Sequence, residues 1–133
     1  MIDIESEVIT RIGNAVRKEF ASAEISSDET RTPTAFPSIT VIENDNYSDK
    51  ATADSGSNEN CAVVAYEINV YSNKAVGRKS ECKHVAALID AEMLLMGFAR
   101  TMSKPIRPSN AALYRIVSRY TAKVSKNKLI YRR

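Results

Sequence analysis

The hydrophobic pattern of the N-terminal segment is that of an amphipathic helix. Between residues 3 and 20, apolar side chains recur every three or four positions, a spacing that places them on one helix face. Acidic side chains stand near the start of this segment and basic side chains near its end, which stabilises a helix through its dipole. The pattern predicts an N-terminal helix within residues 1–22, followed by a polar connector over residues 21–35.

Two strands are predicted next, separated by a polar stretch. Residues 36–43 are short and rich in β-branched side chains, whereas residues 61–72 alternate between apolar and polar positions, as a half-buried antiparallel strand does. Residues 44–60 between them contain almost no apolar side chain except Tyr47, so we expect a flexible loop there. The alternating apolar positions of the second strand are Val64, Tyr66, Ile68 and Val70.

Residues 77–96 form the strongest predicted helix, and Gly97 follows it where a C-terminal capping glycine is expected. Its core face is apolar at Cys82, Val85, Ala86, Ile89, Met93 and Met96. A second apolar stripe lies on the opposite side, where a helix covered on one face only should be polar. Either another element of the chain or a second subunit must cover this stripe, and we favour a subunit contact. The stripe consists of Leu88, Ala91 and Leu95, with Leu94 nearby.

The C-terminal part of the chain is predicted to be mostly strand. Residues 98–103 have strand character, and residues 128–132 suggest a short final strand. Residues 111–124 satisfy both helical and strand spacing, but their Tyr, Ile, Val and Thr content favours a strand. The order helix, strand, strand, helix, strand, strand indicates an α+β fold in which two helices pack on one antiparallel sheet of about four strands. A length of 133 residues argues for a single domain covering residues 1–133.

Composition excludes several kinds of functional site. The chain has two cysteines and one histidine, fewer ligands than the usual structural zinc site requires. We predict that both thiols are buried and free, although a disulfide between them stays open. The four glycines stand alone, so no Gly-rich phosphate-binding loop is present. We therefore expect no metal, no cofactor and no catalysis, and no apolar run is long enough for a membrane span.

The charges are distributed unevenly along the chain. Residues 1–60 hold 12 acidic and 5 basic side chains, whereas residues 97–133 hold 10 basic side chains and no Asp or Glu. Such asymmetry is typical of proteins that bind nucleic acid or a surface of opposite sign. If residues 111–124 are a strand, one of its faces carries three of the basic side chains, and Glu67 on the neighbouring strand pairs with an arginine. These basic side chains are Arg115, Arg119 and Lys123.

Two interpretations of this charged face remain open. It is either a solvated sheet surface with cross-strand ion pairs or a basic strip presented to an acidic neighbour or to DNA phosphates. No recognition helix carries the charge, so non-specific tolerance of nearby DNA is the most that the sequence supports.

The second half of the chain contains five distinctive runs, namely V-A-Y-E-I-N-V-Y-S-N (residues 64–73), K-S-E-C-K (79–83), M-G-F-A-R-T (96–101), L-Y-R-I-V-S-R-Y-T (113–121) and I-Y-R-R (130–133). These runs resemble those of the tail terminator, or tail-completion, proteins of long-tailed bacteriophages. The resemblance spans roughly residues 36–133. These motifs are structural rather than catalytic.

The resemblance implies a small α+β virion protein that assembles as a homohexameric ring on the finished tail tube. Such a ring ends tube polymerisation and offers a joining surface to the head, so its partners are the tail tube protein and a connector or neck protein. Genomic DNA then passes through the lumen without sequence-specific binding. The expected location is the virion tail or neck, and the host cytoplasm during assembly.

Within this picture, three groups of residues receive predicted roles. The apolar stripe Leu88, Ala91 and Leu95 becomes a subunit interface, and Glu67, Arg115, Arg119 and Lys123 form a charged face toward the lumen or a neighbour. The polar loop becomes a partner-binding segment that includes Tyr47, Asp49 and Lys50. The alternatives are another neck or head-completion connector protein, or a small non-specific nucleic-acid-binding module.

Overall fold

The computed structural model describes residues 2–27, 35–48, 61–107 and 112–125. In this part of the chain, two helices and five strands form an α+β fold, which confirms the predicted class but with one strand more than expected. The elements in chain order are α1 (Glu5–Arg17), β1 (Glu24–Ser26), β2 (Ser38–Ser48), β3 (Cys61–Ser72), α2 (Arg78–Met96), β4 (Ala99–Pro105) and β5 (Tyr114–Ser125).

The strands form one sheet in the order β1-β2-β3-β5-β4. The central strand β3 pairs antiparallel with β2 and β5, and β4 pairs antiparallel with β5. Only β1 is parallel to its neighbour, so the sheet is mixed rather than wholly antiparallel. The main body of the sheet therefore agrees with the predicted antiparallel arrangement.

The additional strand β1 lies inside the segment that was predicted to be a connector, residues 21–35. It spans three residues, Glu24–Ser26, which pair with Ser38–Thr40. Its one large apolar side chain, Ile25, packs against the core, and a Cβ at Gly13 would lie 3.1 Å from the Ile25 Cδ1 atom. Glycine thus lets α1 approach β1 closely. A strand of three residues is too short to show an alternating pattern in the sequence. Its extended conformation is set instead by its pairing with β2.

The prediction of a flexible loop over residues 44–60 is wrong for the first five of these residues. Residues 44–48 continue β2, and the strand passes through a β-bulge between Glu43 and Asp45. The polar side chains are tolerated because this end of β2 is largely exposed and its backbone pairs with the apolar strand β3. The remainder of the predicted loop, including Asp49 and Lys50, lies outside the described residues.

Both helices pack on the same face of the sheet. The buried side of α1 presents Val8, Ile12 and Val16, and the buried side of α2 presents Cys82, Val85, Ile89 and Met93 to the same core. The predicted alternation of β3 is confirmed, because Val64, Tyr66, Ile68 and Val70 are all at most 2% exposed in this core. Helix α1 is shorter than residues 3–20, and the Asp3 carboxylate accepts a hydrogen bond from the Glu5 N–H at its start.

The boundaries after α2 follow the sequence closely. Gly97 adopts a left-handed conformation with φ of 103°, and its N–H donates to the Leu94 carbonyl, which ends the helix and turns the chain into β4. The ambiguous segment over residues 111–124 is a strand, because β5 pairs with β3 along its whole length. The predicted strand at residues 128–132 lies outside the described residues.

Both cysteines are buried and free, as predicted. The Cys82 thiol lies 3.3 Å from the Tyr114 carbonyl oxygen, to which it donates. Burial, and then the charge of Glu81, raises the pKa of Cys82 to about 12. At neutral pH this residue is therefore a thiol and not a nucleophilic thiolate.

We expect the folded protein to resist thiol modification. In an Ellman assay at pH 8, Cys82 should react at least about 100-fold more slowly than a free thiol, because it is buried and protonated. Both Cys61 and Cys82 should react at once after denaturation. Rapid reaction of a Cys61→Ser variant, which retains only Cys82, would contradict this expectation.

Candidate subunit interface and charged sheet face

The back of α2 carries an open apolar surface. Leu94 and Leu95 are 52% and 61% exposed, and Ala91 beside them is also exposed. We refer to Ala91, Leu94 and Leu95 as the α2 ridge. Large apolar side chains grouped in this way on a helix commonly mark an interaction surface.

Leu88, the third residue of the predicted stripe, lies at the margin of this ridge. Its side chain is partly buried. Two contacts hold this flank of α2: Arg11 of α1 pairs with Glu92 at 2.7 Å, and His84 lies 3.2 Å from Glu19, which follows the end of α1. Leu88 and Leu95 are seven residues apart, about two helical turns, so they share one side of α2. They differ in burial, because Ala91 and Leu95 are exposed whereas Leu88 is partly buried.

On its other side, the α2 ridge continues into a groove between α2 and the strands β4 and β5. This α2–β4 groove has a volume of about 510 Å³, and Ala91 and Leu94 form part of its wall. Its floor includes Ile116 and Ser118 of β5. Three basic side chains line it as well, namely Lys83, Arg100 and Lys104.

Asp90 is the acidic residue lining the groove, and two neighbours share its carboxylate. The Tyr120 hydroxyl donates to Asp90 over 2.8 Å, and Arg100 forms an ion pair with it at 3.1 Å. Burial, followed by the hydrogen bond to Asp90 and its charge, raises the pKa of Tyr120 above its ordinary value. Since Arg100 offsets the charge of Asp90, the groove keeps the positive charges of Lys83 and Lys104.

The predicted charged face lies on the side of the sheet opposite the helices. Glu67 and Arg119 are directly opposite each other on β3 and β5, and their side chains form an ion pair at 3.1 Å. The predicted pairing of Glu67 with an arginine is therefore present. A cross-strand pair of this kind contributes about 0.2–1 kcal/mol to stability.

The other basic residues of this face are in different environments. Arg115 donates to the Asn69 side-chain oxygen over 2.9 and 2.6 Å, and its guanidinium lies 5.6 Å from the centroid of the Tyr71 ring. Lys123 is exposed near the end of β5. Two of the three predicted basic side chains thus have their charge-bearing groups held by neighbours on β3.

A cluster of carboxylates at the opposite side of the molecule was not predicted. Carboxylate oxygens of Asp3, Glu5 and Glu43 lie within 4.8 Å of one another, and we refer to these residues as the acidic corner. Burial raises the pKa of Glu5, and the charges of Glu43 and Asp3 raise it further. Carboxylates in such a group suit a hard cation, but exposed acidic groups of this kind are common without one.

Sequence spacing gave no direct signal for the acidic corner, because Asp3 and Glu43 are 40 positions apart. The acidic excess of the first 60 residues was the available indication. Near the same end of β2, the side chain of Tyr47 is 54% exposed.

Comparison with known proteins gives a match in fold. No family model and no curated protein matches the chain. A solved structure of the virion of a native gene transfer agent (GTA) particle contains a similar chain. The two are 19% identical with a TM-score of 0.55, and the match covers 89% of this chain and 84% of that chain. This similarity establishes a shared fold. Among the described residues, neither helix has the length and apolarity of a membrane span.

Proposed function

We propose that this protein is a virion structural protein that forms a ring on the end of a phage-type tail tube. The observation that carries the proposal is the fold shared with a chain of the gene transfer agent virion over 89% of the present chain. The resemblance of residues 36–133 to tail terminator proteins narrows the proposal to the ring that ends tube polymerisation and joins the tail to the head.

The exposed α2 ridge supports self-assembly. A subunit that buries the ridge against a different surface of the next copy makes a heterologous contact, and such contacts close into a ring when the rotation between copies allows it. If only one side of a closed ring binds the tube end, the ring terminates the polymer. Its other side does not offer the surface to which the next tube subunit would bind. That other side is then available to the head.

The charged sheet face fits a lining past which DNA moves without being held. Arg119 is paired with Glu67 and Arg115 is bound to Asn69, so these two arginines are less available to phosphates than free basic side chains. Weak, sequence-independent contact is what passage of DNA requires, since tight phosphate binding would retain it. The same pairing argues against the alternative of a nucleic-acid-binding module.

We further propose that the segment beyond Tyr47, with Asp49 and Lys50, contacts the tube or the neck. The exposed ring of Tyr47 at the end of β2 supports a contact there. Catalysis has no part in this proposal, because termination and joining require only surfaces that fit one another.

Electron microscopy of particles assembled without this protein tests the proposal. If the protein is the terminator, tubes should exceed the normal length and remain without heads, and restoring the wild-type protein should restore the normal length. Tails of normal length that fail to join heads would instead assign the protein to the connectors of the neck. Complete, normal particles would contradict a structural role at the neck altogether.

A further inference from the structure

Two surfaces on opposite sides of the molecule have complementary charge. The acidic corner involves β2 and the start of α1, whereas the α2–β4 groove involves the far edge strand of the sheet. In the described part of the chain, no basic side chain pairs with the acidic corner, and Lys83 and Lys104 of the groove contact no acidic side chain. Among the described residues, each surface thus lacks the opposite charge that the other surface offers.

A row of paired residues connects the acidic corner with one end of the groove. Glu43 is paired with Tyr66, Tyr66 with Tyr120, and Tyr120 with Arg100, so a single row of residues crosses the sheet from the acidic corner to the groove. The row spans three strand spacings, about 14 Å. Lys104 lies off this row, because it is paired with Val117, Val117 with Asn69, and Asn69 with Thr40, three residues along β2 from Glu43. When the acidic corner of one copy meets Lys104 of the next, neighbouring copies are therefore offset along the strands by about 10 Å. A ring accommodates such an offset when its strands are inclined to its axis.

We propose that the α2–β4 groove is the acceptor for the acidic corner of a second copy of this chain. Asp3 and Glu5 of one copy lie against Lys83 and Lys104 of the next, and the α2 ridge beside the groove is covered in the same contact. The inference rests on the proposed function, for which it supplies the two sides of the ring contact. It also accounts for three carboxylates being held together in one subunit, since a neighbour's lysines offset their repulsion.

A charge-swap experiment tests this contact. The groove variant combines Lys83→Glu with Lys104→Glu, and the corner variant combines Asp3→Lys with Glu5→Lys. Each variant alone places like charges in every contact, so we expect its dissociation constant for assembly to rise at least about 100-fold. An equimolar mixture should assemble again into rings of alternating subunits, because every contact in such a ring joins opposite charges. Native mass spectrometry measures the assembled mass and the ratio of the two variants.

The controls separate this contact from general charge effects and from misfolding. Lys18→Glu combined with Lys79→Glu makes the same change in net charge at exposed positions outside the groove, and it should assemble like the wild type. Circular dichroism should show that both swapped variants are folded. Assembly of the wild type should also weaken as salt concentration rises, because salt screens the exposed charges of the contact.

The possible outcomes are distinct. If the groove variant alone forms rings as readily as the wild type, or if folded variants do not assemble when mixed, the proposed contact is wrong while the ring itself stands. Loss of wild-type assembly on chelation with EDTA would overturn it in favour of a cation at the acidic corner. A wild-type protein that remains monomeric at high concentration would overturn both the contact and the proposed ring.

Discussion

Replacing Leu95 with aspartate is expected to abolish ring assembly while leaving the subunit folded. The side chain is 61% exposed in the isolated subunit, so a charge there meets water and costs the fold little. In the assembled contact it would be an unpaired buried carboxylate, and the leucine contact, worth about 1.5–3 kcal/mol, would be lost as well. We therefore expect association to weaken at least about 100-fold, measured by light scattering across a concentration series.

A matched control is available just before α2. Val76 is 86% exposed, so Val76→Asp introduces the same charge at an apolar surface position outside the ridge and should leave assembly unchanged. Leu88→Asp is less informative, because Leu88 is partly buried and a charge there also disturbs its packing. If Leu95→Asp assembles with wild-type affinity, the α2 ridge is not part of the contact.

The elements that sequence reasoning predicted well are those whose periodicity reports burial directly. In β3, the alternation of Tyr66 and Ile68 with polar neighbours places one face in the core, and the structure buries that face. In α2, the spacing of Val85 and Ile89 defines the buried side in the same way. Such patterns are local, because the side-chain periodicity of a helix or a strand determines which of its residues share a face.

The missed features depend on contacts between distant segments. β1 is a strand because Glu24–Ser26 pairs with β2, and residues 44–48 are a strand because they pair with β3, although their side chains favour turns. At the candidate site, the Glu67–Arg119 pair followed from strand patterns once β3 and β5 were taken as neighbours. The α2–β4 groove did not, because its walls come from α2, β4 and β5, and no local pattern reports how these elements are placed relative to one another.

The opposite face of α2 yields the second large effect, on stability rather than assembly. Ile89 is 1% exposed beneath the helix, so Ile89→Ala removes buried methyl groups and leaves a cavity in the shared core. Truncations of this kind cost about 2–5 kcal/mol in the free energy of unfolding. Urea unfolding should be measured in the Leu95→Asp background, where folding is not linked to assembly. In that background, Ile89→Ala should markedly lower the urea concentration at the unfolding midpoint without changing how steeply the free energy of unfolding depends on urea.

Leu94→Ala is the control for this substitution, because it shortens a side chain on the exposed side of the same helix. With 52% of Leu94 exposed, its truncation should change the free energy of unfolding by less than about 1 kcal/mol. In the otherwise wild-type protein, however, the same truncation should weaken assembly, since Leu94 belongs to the α2 ridge. The two substitutions therefore separate the roles of the two faces of α2: Ile89 anchors the helix to the sheet, and Leu94 holds the next subunit. Equal losses of stability from both substitutions would show that α2 is buried on both sides within one subunit. That result would contradict the proposal that the α2 ridge contacts the next subunit.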